Sequence, residues 1–183
     1  MSYGIRYALL RSSAGLVLAV ALCLPGFRER EAFAMGTLRL TSTAFSQKGQ
    51  VPSKYTCDGD DMNPPLAIEG VPPEAKALAL IVDDPDAPAG TWVHWVVWNI
   101  DPRTTEIKEG AVPPGAQQGM NDFRKTEYGG PCPPSGTHRY FFKLYALDGA
   151  LNPGPKATKP MLEKAMKGHI LSQTELVGVY KRK

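Results

Sequence analysis

The sequence predicts a mostly β protein with a short C-terminal helix and a final strand. Long runs of β-branched and aromatic residues are typical of strands, and 18 glycines with 17 prolines supply many turns. A single stripe of apolar residues at helical spacing occurs near the C-terminus. At 183 residues, with 43% hydrophobic and 21% charged residues, the chain has the composition of one globular domain.

The N-terminal segment predicts a secretory signal peptide at residues 1–34, which leaves a single domain at residues 35–183. Two arginines precede an apolar run at residues 14–24, and Ala32-Phe33-Ala34 offers small residues at the spacing that a signal peptidase recognises. The run is shorter than the roughly 20 apolar residues of a membrane-spanning helix. We therefore expect a periplasmic or secreted protein without a stable membrane span after processing, with an uncleaved anchor as the alternative.

Signal removal changes the charge and the cysteine count. Residues 1–34 carry four arginines and two glutamates, so the remaining 149 residues have a net charge of +1. That small charge gives no support for nucleic-acid binding. Cleavage also removes Cys23 and leaves Cys57 and Cys132 in an oxidising compartment. We favour a disulfide between them over two buried free thiols.

Five segments have strand patterns. They are residues 37–43, 77–82, 91–100, 138–147 and 175–180. The first alternates like a half-exposed strand, whereas residues 91–100 are apolar on both faces, as in a central strand. Three tryptophans in that segment, Trp92, Trp95 and Trp98, are expected in the core. Alternation in residues 138–147 puts His138 and Tyr140 on the same face.

A helix and a surface loop complete the predicted elements. Thr158 is expected to cap a helix whose first turn contains Pro160. Its predicted apolar stripe consists of Met161, Leu162, Ala165, Met166 and Ile170. Residues 110–119, with two adjacent prolines, predict a surface loop.

Two polar loops lie next to predicted strands and contain groups suited to a ligand site. Residues 83–88 are acidic and rich in proline and lead to His94, and residues 130–136 are rich in glycine and proline and lead to His138 and Tyr140. Proline and glycine turns would hold these polar groups on rigid supports. We therefore predict a small pocket where the two loops meet.

Four ordered motifs resemble the phosphatidylethanolamine-binding protein family, in particular its bacterial branch, often called Raf kinase inhibitor-like. They are Tyr-Thr-Cys-Asp-Gly-Asp at 55–60, Asp-Pro-Asp-Ala-Pro at 84–88, His-Trp-Val-Val-Trp-Asn at 94–99, and the segment 130–140. The resemblance covers about residues 37–181. It implies a two-sheet antiparallel β-sandwich with a small anion pocket at one end.

The same resemblance implies a set of ligand-binding residues. They are Asp84, Asp86, His94, Gly130, Pro131, His138 and Tyr140. Imidazole, phenol and amide groups are suitable donors to phosphate or carboxylate oxygens. Two aspartates would repel an anion unless they orient the histidines, hold a proton or contact a cationic headgroup such as ethanolamine. We expect Asp84 to orient a histidine.

Each site feature also has a purely structural interpretation. His94 on an apolar strand could be a core histidine with a satisfied hydrogen bond. Asp84-Pro85-Asp86 could be only a turn. Asp58, Asp60 and Asp61 resemble part of a calcium loop but lack the glycine and glutamate that such a loop requires, so we expect loop residues near the pocket.

The sequence therefore predicts a secreted, non-enzymatic module that binds a small anion or phosphorylated headgroup and modulates a protein partner, without catalytic residues, metal or cofactor. The alternative is a serine protease inhibitor acting through a surface loop, at Pro113-Pro114 or in the proline-rich segment after Leu151. A metal-dependent hydrolase would have to use the aspartates and histidines of the pocket. A serine hydrolase has little support because Ser135 lies outside a Gly-x-Ser-x-Gly motif.

Overall fold

The computed structural model describes Met1 and residues 37–183, so the predicted signal peptide, apart from Met1, lies outside the described residues. The described part is mostly β, with two sheets and one short α-helix. Its elements are β1 (Arg39–Thr41), β2 (Gly49–Gln50), β3 (Leu66–Glu69), β4 (Ala77–Asp84), β5 (Trp92–Ile100), β6 (Glu106–Ile107), β7 (Gln117–Gln118), β8 (His138–Leu147), α1 (Lys159–Met166) and β9 (Ile170–Tyr180).

The larger sheet has six strands in the order β2-β9-β8-β4-β5-β7, and the smaller sheet has the order β1-β3-β6. Strand β4 lies inside the larger sheet, where it pairs antiparallel with β5 on one side and β8 on the other. All eight of its residues are buried. This position explains the continuous apolar run at residues 77–82, because neither face of the strand meets solvent.

Two apolar clusters cover the two faces of the larger sheet. The first joins side chains of both sheets, including Leu40 and Ile68 of the small sheet with Leu80 and Phe142 of the large one. The second lies between the other face of the large sheet and α1. It contains Ala79, Ile81, Val96, Leu162 and Met166. Alternate residues of β4 therefore enter different clusters, as the two-residue period of a strand requires.

The larger sheet departs from the predicted strands in two respects. Its pairing is not purely antiparallel, because β2 runs parallel to β9 with Gly49 opposite Gly178. The final strand also begins at Ile170 rather than at Glu175. The first half of β9 alternates between exposed and half-buried residues and carries no apolar run that would have marked it as a strand.

The helix is shorter and less amphipathic than predicted. Thr158 precedes it in an extended conformation, but its side chain makes no capping hydrogen bond. Leu162 and Met166 are buried, whereas Met161 is 45% exposed and Ile170 belongs to β9. The predicted loop at residues 110–119 contains β7, which pairs with the end of β5. Among the described residues, no helix has the length and apolar character needed to cross a bilayer.

Candidate ligand-binding site

A cavity of about 400 Å³ opens where the end of β4 meets the beginnings of β5 and β8. These ends coincide because β4 runs antiparallel to both neighbours, which places Asp83 opposite Val93 on one side and Phe141 on the other. The cavity is lined by Asp84, Ala87, Pro88, Ala89, Trp92, His94, Phe123, Cys132, Pro134 and His138. The acidic loop and the glycine-proline loop thus border one shared cavity.

Asp84 and His138 form a buried pair in this cavity. Oδ2 of Asp84 lies 2.7 Å from Nδ1 of His138, and the two side chains are 5% and 9% exposed. The other carboxylate oxygen accepts a hydrogen bond from the backbone N–H of Asp86 at 2.8 Å. Contacts to both oxygens fix the orientation of the Asp84 carboxylate. In this position the carboxylate could orient the His138 ring, which is the role that we predicted for it. Nε2 of His138 is then the ring nitrogen left for a ligand.

His94 is buried beside this pair. Its Nδ1–H donates to the carbonyl oxygen of Gly129 at 2.6 Å, and the residue is 2% exposed to solvent. Burial lowers the pKa of His94, against the opposing effects of the Gly129 carbonyl and the nearby Asp84 charge. The imidazole is therefore neutral near pH 7, and its Nε2 is a hydrogen-bond acceptor.

Tyr140 lies under the cavity rather than on its surface. The residue is fully buried, and its ring packs edge-on against His94 with 5.2 Å between centroids. Its hydroxyl makes no well-formed hydrogen bond to any described group, although the Asp84 carboxylate and the Cys132 backbone are close. Burial and then the Asp84 charge raise the pKa of Tyr140, so the hydroxyl keeps its proton. An unpaired buried hydroxyl costs about 1–3 kcal/mol unless water or a ligand meets it.

Asp86 does not line the cavity, which corrects its predicted place there. Arg139 binds its carboxylate through Nη2 at 2.7 Å, Nε at 2.9 Å and the backbone N–H at 2.9 Å. These contacts lower the pKa of Asp86 to about 2, with the side-chain hydrogen bonds of Arg139 as the largest cause. The Asp86 carboxylate therefore holds the acidic loop against the start of β8.

Gly130 and Pro131 likewise hold neighbouring loops together and do not line the cavity. The backbone N–H of Gly130 donates to Oδ1 of Asp61 at 2.6 Å, and the carbonyl oxygen of Pro131 accepts from the N–H of Cys57 at 3.1 Å. A side chain at Gly130 would meet the backbone of Tyr55 and Thr56 at 2.7 Å, so the close approach of these segments requires glycine. The nearby aspartates thus organise loops, as expected for Asp61.

A disulfide joins Cys57 to Cys132, with 5.4 Å between their Cα atoms. Cys132 is exposed and lines the cavity, whereas Cys57 is half-buried. The bond fastens the glycine-proline loop to the segment that follows β2.

An aromatic wall faces the polar groups. Trp92 was expected in the core, but it is half-buried and lines the cavity together with Phe123. Their rings meet edge to face at 5.4 Å, and the Phe123 ring also lies 5.3 Å from that of His94. Phe123 belongs to a polar loop with no recognisable motif, so the sequence carried no signal for it.

Side-chain hydrogen bonds hold the Phe123 loop in place. Oδ2 of Asp122 accepts from the backbone N–H of Val93 at 2.7 Å, and Nδ2 of Asn121 donates to the carbonyl oxygen of His94 at 3.2 Å. The loop is thereby attached to the beginning of β5 at two consecutive residues. Within residues 37–183, no group of three or more His, Cys, Asp or Glu side chains is arranged to hold a metal ion.

Comparison with known proteins identifies the family. A family model described as phosphatidylethanolamine-binding protein matches residues 41–181. The chain belongs to this family. The resemblance found in the sequence is thereby confirmed.

This chain aligns with relatives and solved structures of the phosphatidylethanolamine-binding protein family over nearly the whole length of each relative. A UPF0098 protein of Methanothermobacter thermautotrophicus is 51% identical over 150 residues, which cover 79% of this chain and 99% of that protein. A crystal structure of a phosphatidylethanolamine-binding protein homolog from Chlamydia trachomatis is 44% identical, with a TM-score of 0.78, and covers 81% of this chain and 99% of its own. Escherichia coli YbcL, described as a member of the mammalian family, is 31% identical with a TM-score of 0.75 and covers 81% of this chain and 100% of its own.

Proposed function

We propose that this protein is an exported, non-enzymatic binding protein whose cavity takes a small phosphoryl anion or phosphorylated headgroup. The cavity carries the proposal, because it brings the buried His94 ring and the oriented Asp84–His138 pair to one surface. The Nε2 atoms of the two histidines are the ring nitrogens left for a bound phosphoryl group. Membership in a family of ligand-binding proteins supports the same conclusion.

The polar groups favour a singly charged phosphoryl group over a doubly charged one. The neutral His94 offers an acceptor at Nε2 that suits a P–OH group. The Asp84 carboxylate would further disfavour a second negative charge. Since a phosphate monoester loses its second proton near pH 6, affinity should fall as the pH rises from about 5.5 to 7.5.

The aromatic wall supports a ligand with an organic substituent. Trp92 and Phe123 would cover the apolar part of a headgroup while the phosphoryl group meets the histidines. We further infer that the two sheets pack as a sandwich, because they share one apolar cluster. Export and a periplasmic or secreted location follow from the signal-like segment at residues 1–34.

Titration with inorganic phosphate and with phosphoethanolamine, followed by NMR, tests the proposal. We expect saturable shifts of the His94 imidazole and the Trp92 indole, and at least a tenfold loss of affinity in His138→Ala, since a hydrogen bond to a charged group is worth about 1.5–3 kcal/mol. His169→Ala is the matched control, because His169 is exposed and pairs with Asp148 beyond the far end of β8.

Two results would contradict the proposal. One is the absence of saturable shifts with either compound, and the other is an equal loss of affinity in both histidine variants. Inhibition of a serine protease that persists in His138→Ala would instead favour the alternative function through a surface loop such as Pro113-Pro114. An inhibitor of standard size would bury about 800 Å² on each partner.

A further inference from the structure

One cysteine of the disulfide lines the cavity and the other does not. Cys132 is exposed and contributes to the cavity wall, whereas Cys57 is half-buried and does not line the cavity. A small molecule inside this space of about 400 Å³ would therefore meet Cys132 and not Cys57.

We propose that Sγ of Cys132 is a thiol-exchange site that takes low-molecular-weight thiols entering through the cavity. A thiolate attacks this sulfur, a new S–S bond forms between the small thiol and Cys132, and Cys57 leaves with the electron pair of the broken bond. The Cys57 thiolate then takes a proton from water. The exchange is balanced without any oxidant, because one disulfide is replaced by another.

Access decides which sulfur is attacked. The attacking thiolate must approach one sulfur from the side opposite the other, so the more exposed sulfur reacts faster when both are otherwise alike. Backbone hydrogen bonds hold the two loops together beside the bridge, since the N–H of Cys57 donates to Pro131 and that of Gly130 donates to Asp61. We expect these bonds to remain after exchange and to keep Cys132 at the cavity wall.

The adduct would occupy the space next to the two cavity histidines. His94 and His138 line the same cavity as Cys132, whereas His169 precedes β9 beyond the far end of the ten-residue strand β8. At about 3.3 Å per residue, that strand separates His138 from His169 by roughly 30 Å. The NMR signals of His94 and His138 can therefore report on an adduct in the cavity, and that of His169 serves as an internal control.

Mapping the adduct of 2-mercaptoethanol tests the proposal. The oxidised native protein is treated briefly, quenched in acid, blocked with N-ethylmaleimide and digested with trypsin, which places Cys57 in peptide 55–76 and Cys132 in peptide 126–139. We expect at least fivefold more mercaptoethanol on Cys132 than on Cys57. The same reaction in 8 M urea gives the intrinsic preference of the unfolded chain, and there the ratio should approach one. A native ratio at or below the urea ratio would overturn the proposal.

NMR of the purified adduct supplies a second readout. We expect the imidazole signals of His94 and His138 to shift and that of His169 to stay unchanged. Unchanged signals of both cavity histidines, or an equal change at His169, would refute the placement of the adduct. Neither measurement uses phosphate, so failure of the thiol-exchange site and failure of the proposed anion site are distinguishable.

Discussion

His94 and Tyr140 are two neighbouring buried polar residues at the candidate site. The ring of Tyr140 packs edge-on against that of His94. Their chemistry differs, because the hydroxyl keeps its proton and the imidazole remains neutral with an acceptor at Nε2. Under the proposed function, the His94 acceptor would receive a hydrogen bond from a protonated phosphoryl group, whereas the Tyr140 hydroxyl stays beneath the cavity surface.

Removal of the Tyr140 hydroxyl should not weaken the fold. In Tyr140→Phe we expect an unchanged or higher free energy of unfolding, by up to about 1 kcal/mol, because an unsatisfied buried hydroxyl is removed. Phosphate affinity should be unchanged, because the hydroxyl lies beneath the cavity surface. Tyr128→Phe is the matched control, since the Tyr128 hydroxyl donates to the carbonyl oxygen of Tyr55 at 3.3 Å. That variant should lose about 1 kcal/mol of stability. An equal loss of stability in Tyr140→Phe, measured by urea unfolding, would show that the Tyr140 hydroxyl has a hydrogen-bond partner in the folded protein.

His94 should make the stability of the ligand-free protein depend on pH. Its pKa is lowered in the folded state, so between that value and the ordinary value near 6.5 the unfolded chain binds one more proton. Stability should therefore rise with pH through this window, with a slope of at most about 1.4 kcal/mol per pH unit from this residue. Urea unfolding between pH 5 and 7.5 measures the slope, and His94→Gln should reduce it. An unchanged slope would show that His94 does not cause it.

At the C-terminal end of strand β4, two consecutive aspartates lie on opposite faces of the sheet. Asp84 faces the cavity, while its neighbour Asp83 is fully buried on the face covered by α1. Nζ of Lys143 lies 2.9 Å and that of Lys159 2.5 Å from the Asp83 carboxylate. Because Lys159 begins α1, this ion cluster connects the helix to the strand that carries the site.

Neutralising Asp83 should be costly for the fold. Asp83→Asn leaves two partly buried ammonium groups without their shared counter-charge, and loss of one partner from a buried pair typically costs about 3 kcal/mol. Chemical denaturation measures the change. Asp101→Asn is the control, because its ion pair with Arg103 is exposed, and little change is expected there. Equal stabilities of the two variants would mean that the buried cluster does not stabilise the helix on the sheet.

At the scale of the whole molecule, the disulfide connects positions 75 residues apart in the chain. Closing a loop of this size restricts the unfolded chain and contributes up to about 4 kcal/mol. Alkylation of the native, unreduced protein should therefore find no free thiol among Cys57 and Cys132, and reduction should lower the free energy of unfolding. Intact mass before and after reduction decides the first point. Two alkylated thiols without prior reduction would contradict the bond.

Export should leave a mature protein that begins near residue 35. Expressed from the full sequence in a Gram-negative host, the protein should appear in the periplasmic fraction with residues 1–34 removed, because the apolar run and the Ala-Phe-Ala site direct processing. N-terminal sequencing of that fraction gives the cleavage point. A Leu18→Arg variant, which interrupts the apolar run, should remain in the cytoplasm. Full-length protein in the cytoplasm for both chains would exclude the signal peptide.

The long strands and part of the site could be predicted from local sequence patterns. Strands β4, β5 and β8 carry eight to ten residues of apolar or alternating sequence, which few other structures accommodate. Asp84, His94 and His138 follow from motifs at the ends of these strands. Strands of two residues, such as β2, β6 and β7, have no period to detect, and the polar first half of β9 resembles a loop.

Only the tertiary structure decided which polar groups face the cavity and which hold the surrounding loops together. Asp84 and Asp86 are two residues apart in one motif, yet Asp84 meets His138 in the cavity and Asp86 is bound by Arg139 outside it. Phe123 reaches the cavity from a distant loop. The physical reason is that a sequence pattern specifies burial and backbone conformation, whereas contacts between segments far apart in the chain depend on how the strands align across the sheet.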